Sequence, residues 1–203
     1  MINLKKLYEE KKIVAFIGRS AAGKDTIVSA LINLINSSSD YQARKVVSYT
    51  TRPQRSNEVE GVDYYFITNE EFLEIKKSGG LYEETCYSVE KDRDWYYGLG
   101  DDCFVDNNLN LVIVNPHGLR QLRDSQIGSK IVPVFVDCSE EERIKRYFGR
   151  DSFASREALE KRIVQDNKDF EDIYELISEF PEYYHITSES IPVEDVISKN
   201  FSY

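Results

Sequence analysis

Three cysteines in 203 residues, Cys86, Cys103 and Cys138, are too few, too far apart and odd in number for a disulfide framework. No pair of them has metal-ligand spacing, so they read as isolated reduced thiols. Two histidines, His117 and His185, leave little for a histidine-based metal or acid–base site, and both are expected in structural roles. No apolar run approaches the ~20 residues of a membrane span. The opening MINLKKLYEEKK is charged and has no apolar stretch of the kind a secretory signal needs. These absences lead to an expectation of a cytoplasmic protein with no membrane partner. Basic residues are also short: 26 Lys and Arg stand against 36 Asp and Glu, a net charge of −10. A general nucleic-acid binder needs a broad basic face to displace counterions, so that class is excluded. A small anionic ligand is not, because a few arginines can dominate their own pocket.

What is present suits one folded domain. Hydrophobic residues make up 41% and aromatics 12%, enough for a substantial core. Short apolar runs such as Ile13–Ile17, Leu111–Val114 and Ile131–Val136 read as buried parallel strands and alternate with helical patterns. The fold class is therefore α/β: a mostly parallel sheet flanked by helices, with a small antiparallel subdomain and a helical lid. Helix starts are expected at Lys24, at Asn69 as an N-cap, at Pro116, and after Ser139, with Glu142 completing a capping box. A second strand is expected over Lys45–Tyr49, and one long helix is expected to end near Ile177. The C-terminus offers a weak strand near Tyr184–Ile186.

The sharpest signal is Gly18-Arg19-Ser20-Ala21-Ala22-Gly23-Lys24-Asp25-Thr26, placed between a strand and a helix. Two glycines at this spacing followed by lysine form a phosphate-binding P-loop. Glycines let the backbone wrap close, N–H groups point inward, and the helix N-terminus adds positive potential. Lys24 reaches toward the terminal phosphates of a nucleoside triphosphate. The strict pattern has Ser or Thr directly after the lysine as a magnesium ligand. Here Asp25 stands there and Thr26 follows, so either supplies the oxygen for Mg2+.

A second segment, Ser48-Tyr49-Thr50-Thr51-Arg52-Pro53-Gln54-Arg55, followed by Glu58, Gly61, Asp63 and Tyr64, resembles the acceptor-binding stretch of guanylate kinases. The resemblance covers nearly the whole chain and weakens after about Ile177. It implies a P-loop-type single domain. Residues 1–48 and 105–203 form the core, with a lid near 143–165, and 49–100 form a nucleoside monophosphate-binding subdomain. It also implies ATP as phosphoryl donor, Mg2+ as cofactor, and GMP or dGMP as acceptor. Ser48, Arg52, Arg55 and Tyr64 then hold the acceptor phosphate, and Glu58 belongs to the same acceptor-binding set. Guanidinium forks match phosphate oxygens well. Glu83 falls where the family reads the guanine edge, beside Tyr97 and Asn115. In the lid, Arg146 and Arg150 match the family's arginines and Arg162 matches a third on the returning helix. Together with Lys24 they form the catalytic set, offsetting charge on the transferred group. Arg143 reads as a solvated helix-face charge.

The chain departs from the family pattern at three places. Tyr97-Gly98-Leu99 ends in an alkyl group where the family has a hydroxyl. Ile113 and Asn115 stand where it has an aspartate pair. The segment between Glu83 and Tyr97 is also a few residues longer. These differences keep two other readings open: a P-loop kinase for another nucleotide or small phosphorylated acceptor, and a non-catalytic binding module of the same fold. Nothing in the sequence sets an oligomeric state.

Overall fold

The structure is a computed structural model that describes residues 1–38, 40–56, 58–90, 93–150, 156–189 and 192–202. The chain opens with β1 (Ile2–Asn3), α1 (Leu4–Glu9), β2 (Ile13–Ile17), α2 (Lys24–Ser38) and β3 (Ala43–Lys45). There follow β4 (Tyr49–Thr50), β5 (Tyr65–Phe66), α3 (Asn69–Lys77), β6 (Leu81–Glu90) and β7 (Arg93–Gly100). The second half contains β8 (Leu109–Ile113), α4 (Pro116–Asp124), β9 (Ile131–Asp137), α5 (Glu140–Arg150) and α6 (Arg156–Asp169). It ends with α7 (Ile173–Ser178), β10 (Tyr184–Thr187), α8 (Val193–Asn200) and β11 (Phe201–Ser202).

Five strands form an all-parallel sheet in the order β10-β9-β2-β8-β3. Every residue of β2 is buried, as a strand covered on both faces requires. Alternation along β2 sends Val14 and Phe16 into one core with Ile27, Val28, Leu31 and Ile35 of α2. Ile13, Ala15 and Ile17 enter the other core, with Leu119 and Leu122 of α4 and Ile173 and Leu176 of α7. Because β2 is central, the loop after it opens at the carboxyl edge, where parallel sheets receive ligands.

A second sheet of four strands, β5-β4-β7-β6, is mostly antiparallel. Gly98 of β7 lets Phe72 of α3 come close, and Phe72 stacks on Tyr96 at 5.2 Å. The opposite face carries Glu83, Thr85 and Tyr87, spaced two apart along β6.

Several local expectations are corrected. The strand expected over Lys45–Tyr49 is divided between the two sheets, with Val46–Ser48 crossing between them. Thr68, not Asn69, caps α3, because its hydroxyl and Glu71 form a reciprocal capping box. Ser139 caps α5, but its own N–H donates to Glu189 rather than Glu142, and Glu142 is taken by Arg146. The long helix expected to reach Ile177 breaks at Phe170–Asp172 into α6 and α7. The pairing of β1 with β11 had no sequence signal, since two-residue strands carry no period to read.

Candidate active site

One cleft of about 1430 Å³ runs between the two sheets. Gly18, Ser20, Ala21, Lys24 and Asp25 of the P-loop line it, with Tyr64, Thr85 and Tyr87 from the side of the second sheet and Ile113 and Asn115 from the carboxyl edge of β8. Arg162 and Tyr147, from the two helices over the P-loop, line it as well.

At the P-loop end the backbone is bent tightly. Gly23 has φ +92°, a conformation that favours glycine, and Ala21 has φ +60°. An alanine in that region carries strain of about 1–2 kcal/mol, so the surrounding contacts must hold it there. Lys24 Nζ donates to the Gly18 carbonyl at 2.6 Å and the Arg19 carbonyl at 3.1 Å. Arg19 lies over the Phe170 ring at 5.2 Å and approaches Asp137 at 4.0 Å. The Ser20 N–H and hydroxyl both donate to Asp166, at 2.8 and 3.0 Å. The Ser20 oxygen accepts from Arg162 Nε at 2.6 Å.

Asp25 stands in the first turn of α2 and pairs with Lys45 at 3.1 Å. Thr26 is exposed one residue on. Among the described residues, no group of three or more His, Cys, Asp or Glu side chains could hold a metal unaided. Mg2+ does not require one, since it commonly takes one or two carboxylates, water and substrate phosphates. Asp25 is a hard oxygen donor facing the cleft beside Lys24. The residues present fit that ion.

Arg146 lies behind the P-loop. It donates to the Ala22 carbonyl at 3.3 Å and to the Ser188 and Glu189 carbonyls, and pairs with Glu142 at 3.0 Å. Arg150 ends α5, and its side chain lies outside the described residues. Arg143, expected to be solvated, is 5% exposed and donates to Asp166 at 3.2 Å. The helix periodicity that separates wet from dry faces missed it, because its partner lies on another helix 23 residues away.

Ser48, Arg52 and Arg55 are not among the residues that line the cleft; Arg52 is 5% exposed and lies beside Tyr64, which does line it. Arg52 makes a two-pronged pair with Glu58, at 2.7 and 3.0 Å, and donates to the Pro53 carbonyl at 2.8 Å. Its guanidinium lies 5.5 Å from the Tyr64 ring centre. That pairing holds the Glu58 carboxyl below its ordinary range. Arg55 donates its backbone N–H to Glu58, and its side chain is exposed. Ser48 accepts Tyr65 N–H at its carbonyl. Thr50 and Thr51, adjacent to Arg52, bond across to the Tyr96 backbone and so fix the start of the arginine segment.

Glu83 is recessed behind Thr85, whose hydroxyl donates to it at 3.2 Å. Burial pushes its pKa up from 4.5 to about 7. It sits against Gly118 of α4, where an added Cβ would come within 3.0 Å of its carboxylate oxygen. Asn115 caps α4 by accepting the Gly118 N–H at 2.7 Å. Gln121 braces the same strand, exchanging two bonds with the Glu84 backbone at 2.7 and 2.8 Å. Tyr97 stands edge-on to both Tyr64 and Tyr87, at 5.8 and 5.6 Å. Leu99 is 1% exposed and packs in the core, so its departure from the family pattern replaces a polar group with core packing. His117, expected in a structural role, lines the cleft and meets Gln121 at 2.7 Å, while His185 stacks on Phe135 at 5.2 Å. No helix among the described residues is long and apolar enough to cross a membrane.

The guanylate kinase family profile matches residues 10–180. A guanylate kinase from Streptococcus mutans is 42% identical over 144 residues, covering 59% of this chain and 64% of that relative. One from Streptococcus pyogenes is 42% identical over 79 residues, covering 39% of this chain and 36% of the relative. The chain thus spans a little under two-thirds of the first relative and about a third of the second. The crystal structure of guanylate kinase from Anaplasma phagocytophilum superposes with a TM-score of 0.58 at 20% identity, covering 93% of this chain and 81% of that one. At that identity the shared property is the fold: a mostly parallel sheet with flanking helices and a smaller antiparallel sheet. With a family match over residues 10–180, the chain belongs to the guanylate kinase family.

Proposed function

We propose that the chain is an ATP-dependent nucleoside monophosphate kinase, moving the γ-phosphoryl group of ATP to GMP or dGMP. The observation that carries this reading is one cleft lined both by Lys24 and the P-loop and by Tyr64, Thr85 and Asn115. Two phosphorylated ligands bound in it would bring their phosphates together, which converts a bimolecular transfer into an effectively intramolecular one.

In this reading the P-loop amides and Lys24 hold the donor phosphates. Mg2+, when bound, neutralises phosphate charge, and Asp25 or Thr26 would hold it. Arg52, Arg55, Ser48 and Tyr64 hold the acceptor phosphate, with Glu58 keeping Arg52 in place. Glu83 and Asn115 face the base, and Tyr97 supports Tyr64. Arg162 reaches the transferring group from α6, accompanied by Arg150, while Arg146 supports the loop from behind. No side-chain base is needed, because an acceptor phosphate with a second pKa of about 6 is largely dianionic at neutral pH. The enzyme would work in the cytoplasm on free nucleotides, with no nucleic-acid or membrane partner.

ADP release measured across all ribo- and deoxynucleoside monophosphates tests this. Turnover of GMP and dGMP alone is expected. Lys24→Ala should keep the fold and lose at least about 10³ in kcat. Turnover of a different acceptor would overturn the guanine assignment, and Ile113 and Asn115 in the cleft lining make that the outcome to watch. No turnover with any acceptor would favour a non-catalytic binding module.

A further inference from the structure

The donor end of the cleft contains a chain of bonded side chains for which phosphate binding alone gives no reason. Asp166 lies in α6 and is 6% exposed. Its Oδ2 accepts from the Ser20 N–H at 2.8 Å and from Arg143 Nη1 at 3.2 Å. Its Oδ1 accepts the Ser20 hydroxyl at 3.0 Å. That hydroxyl oxygen then accepts from Arg162 Nε at 2.6 Å, and Arg162 lies one helical turn before Asp166. Arg143, in α5, is equally buried, and its Nε has no hydrogen bond among the described residues.

The distribution of these bonds is informative. A buried carboxylate serving only as a counterion would direct its oxygens at the guanidinium. Asp166 instead gives Arg143 one bond and gives two to a single P-loop residue. Taking the Ser20 N–H fixes the Arg19–Ser20 peptide plane, one residue ahead of the peptide that leads into Ala21. Ala21 is the residue held at φ +60°, which an alanine does not keep without external restraint. The same helix face also presents Arg162 to Ser20, so α6 and the P-loop share one registration point.

We propose that Asp166 is a positioning residue for the phosphoryl donor. It holds the P-loop in its nucleotide-receiving shape and sets Arg162 in register with it, with Arg143 fixing the carboxylate from behind. This rests on the kinase reading above, since the ligand it prepares the loop for is ATP. Its loss therefore acts on donor binding and leaves the acceptor end, which shares none of these bonds, unaffected.

The test compares Asp166→Asn, which keeps the side-chain volume, with the double variant Arg143→Met/Asp166→Leu, which removes both buried charges together. Replacing a buried pair by apolar groups often preserves stability, so the double variant separates folding from positioning. ATP affinity by titration calorimetry, KM for the acceptor, and melting temperature are measured on each. Asp166→Asn is expected to weaken ATP about fivefold, because one oxygen still accepts the Ser20 N–H. The double variant should melt near the unmodified protein and weaken ATP at least about tenfold, with acceptor KM within about twofold in both. A folded variant of either kind that binds ATP as the unmodified chain does overturns the inference, as does an equal loss at both ends of the cleft. An unmodified chain that binds no ATP overturns the kinase reading and this inference with it. ATP binding that survives unchanged in the variants overturns the inference alone.

Discussion

Two arginine–carboxylate pairs stand beside residues of the cleft, and they are built differently. Arg52 and Glu58 lie six residues apart in one segment and meet through two parallel bonds of 2.7 and 3.0 Å. Arg143 and Asp166 come from two helices, meet through one bond of 3.2 Å, and share the carboxylate with Ser20. The first pair is local and self-sufficient, so it can order the acceptor segment before any ligand arrives. The second is long-range and ties the helices over the cleft to the loop beneath them. Preorganisation is therefore local at the acceptor end and depends on relative helix placement at the donor end.

The largest expected break of this comparison is Arg52→Ala. It removes a phosphate-directed cation and leaves the Glu58 carboxylate uncompensated where the acceptor phosphate is expected. Removing one member of an ion pair leaves its partner without the charge it was set against. The expected outcome is an acceptor KM raised about 100-fold and a lower urea midpoint, with ATP affinity unchanged. Loss of ATP affinity in this variant would show that the two ends do not organise independently.

Next in size is a pH effect confined to the acceptor end. Burial raises the Glu83 pKa to about 7. The folded chain therefore keeps a proton that the unfolded chain has released above 4.5. The contribution of this group to stability is greatest below pH 4.5 and falls as pH rises to 7, by on the order of 3 kcal/mol. Function moves the other way, because a guanine edge offers N–H donors and needs the ionised carboxylate. Acceptor KM should fall about twentyfold from pH 6 to pH 8, about tenfold from Glu83 ionisation and about twofold from the acceptor phosphate. Glu83→Gln should leave only the roughly twofold change that comes from the acceptor phosphate's own titration. A change of about twentyfold that persists in Glu83→Gln would assign the titration elsewhere.

Sequence patterns reached the parts of the molecule in which chemistry and chain neighbourhood coincide. The P-loop is legible because nine consecutive residues carry it, between a strand and a helix whose periods are plain. The parallel α/β class follows from alternating apolar strands and amphipathic helices, whereas the order of the strands does not. Asp166 was not legible, because a lone aspartate in a charged helix looks like any solvated residue until α6 folds over Ser20. Arg143 was misread for the same reason. Leu99 reads as a hydroxyl lost from the site, and only the structure shows that the alkyl group packs in the core instead. The longer Glu83-to-Tyr97 segment was visible as a length difference, but its consequence appears only when β6 and β7 are seen as one extended hairpin.

That hairpin suggests the smallest effect, and one that sharpens the comparison. Glu83, Thr85 and Tyr87 share one face of β6, and Thr85 and Tyr87 line the cleft. Tyr87 stands edge-on to Tyr97 and is 52% exposed, so much of its ring is open to a ligand. An aromatic face at the rim of an acceptor pocket can stack on a base. Such contacts are worth about 1–3 kcal/mol when well covered, and the lower end suits a half-exposed ring. Tyr87→Ala should raise acceptor KM about fivefold, with kcat and ATP affinity unchanged. Tyr87→Phe should match the unmodified chain, because the contact uses the ring and not the hydroxyl. Stability should change little in either variant, as the ring is not part of the packed core. An unchanged KM in Tyr87→Ala would confine the acceptor end to the local Arg52 segment and Glu83, and leave the hairpin extension without a part in binding.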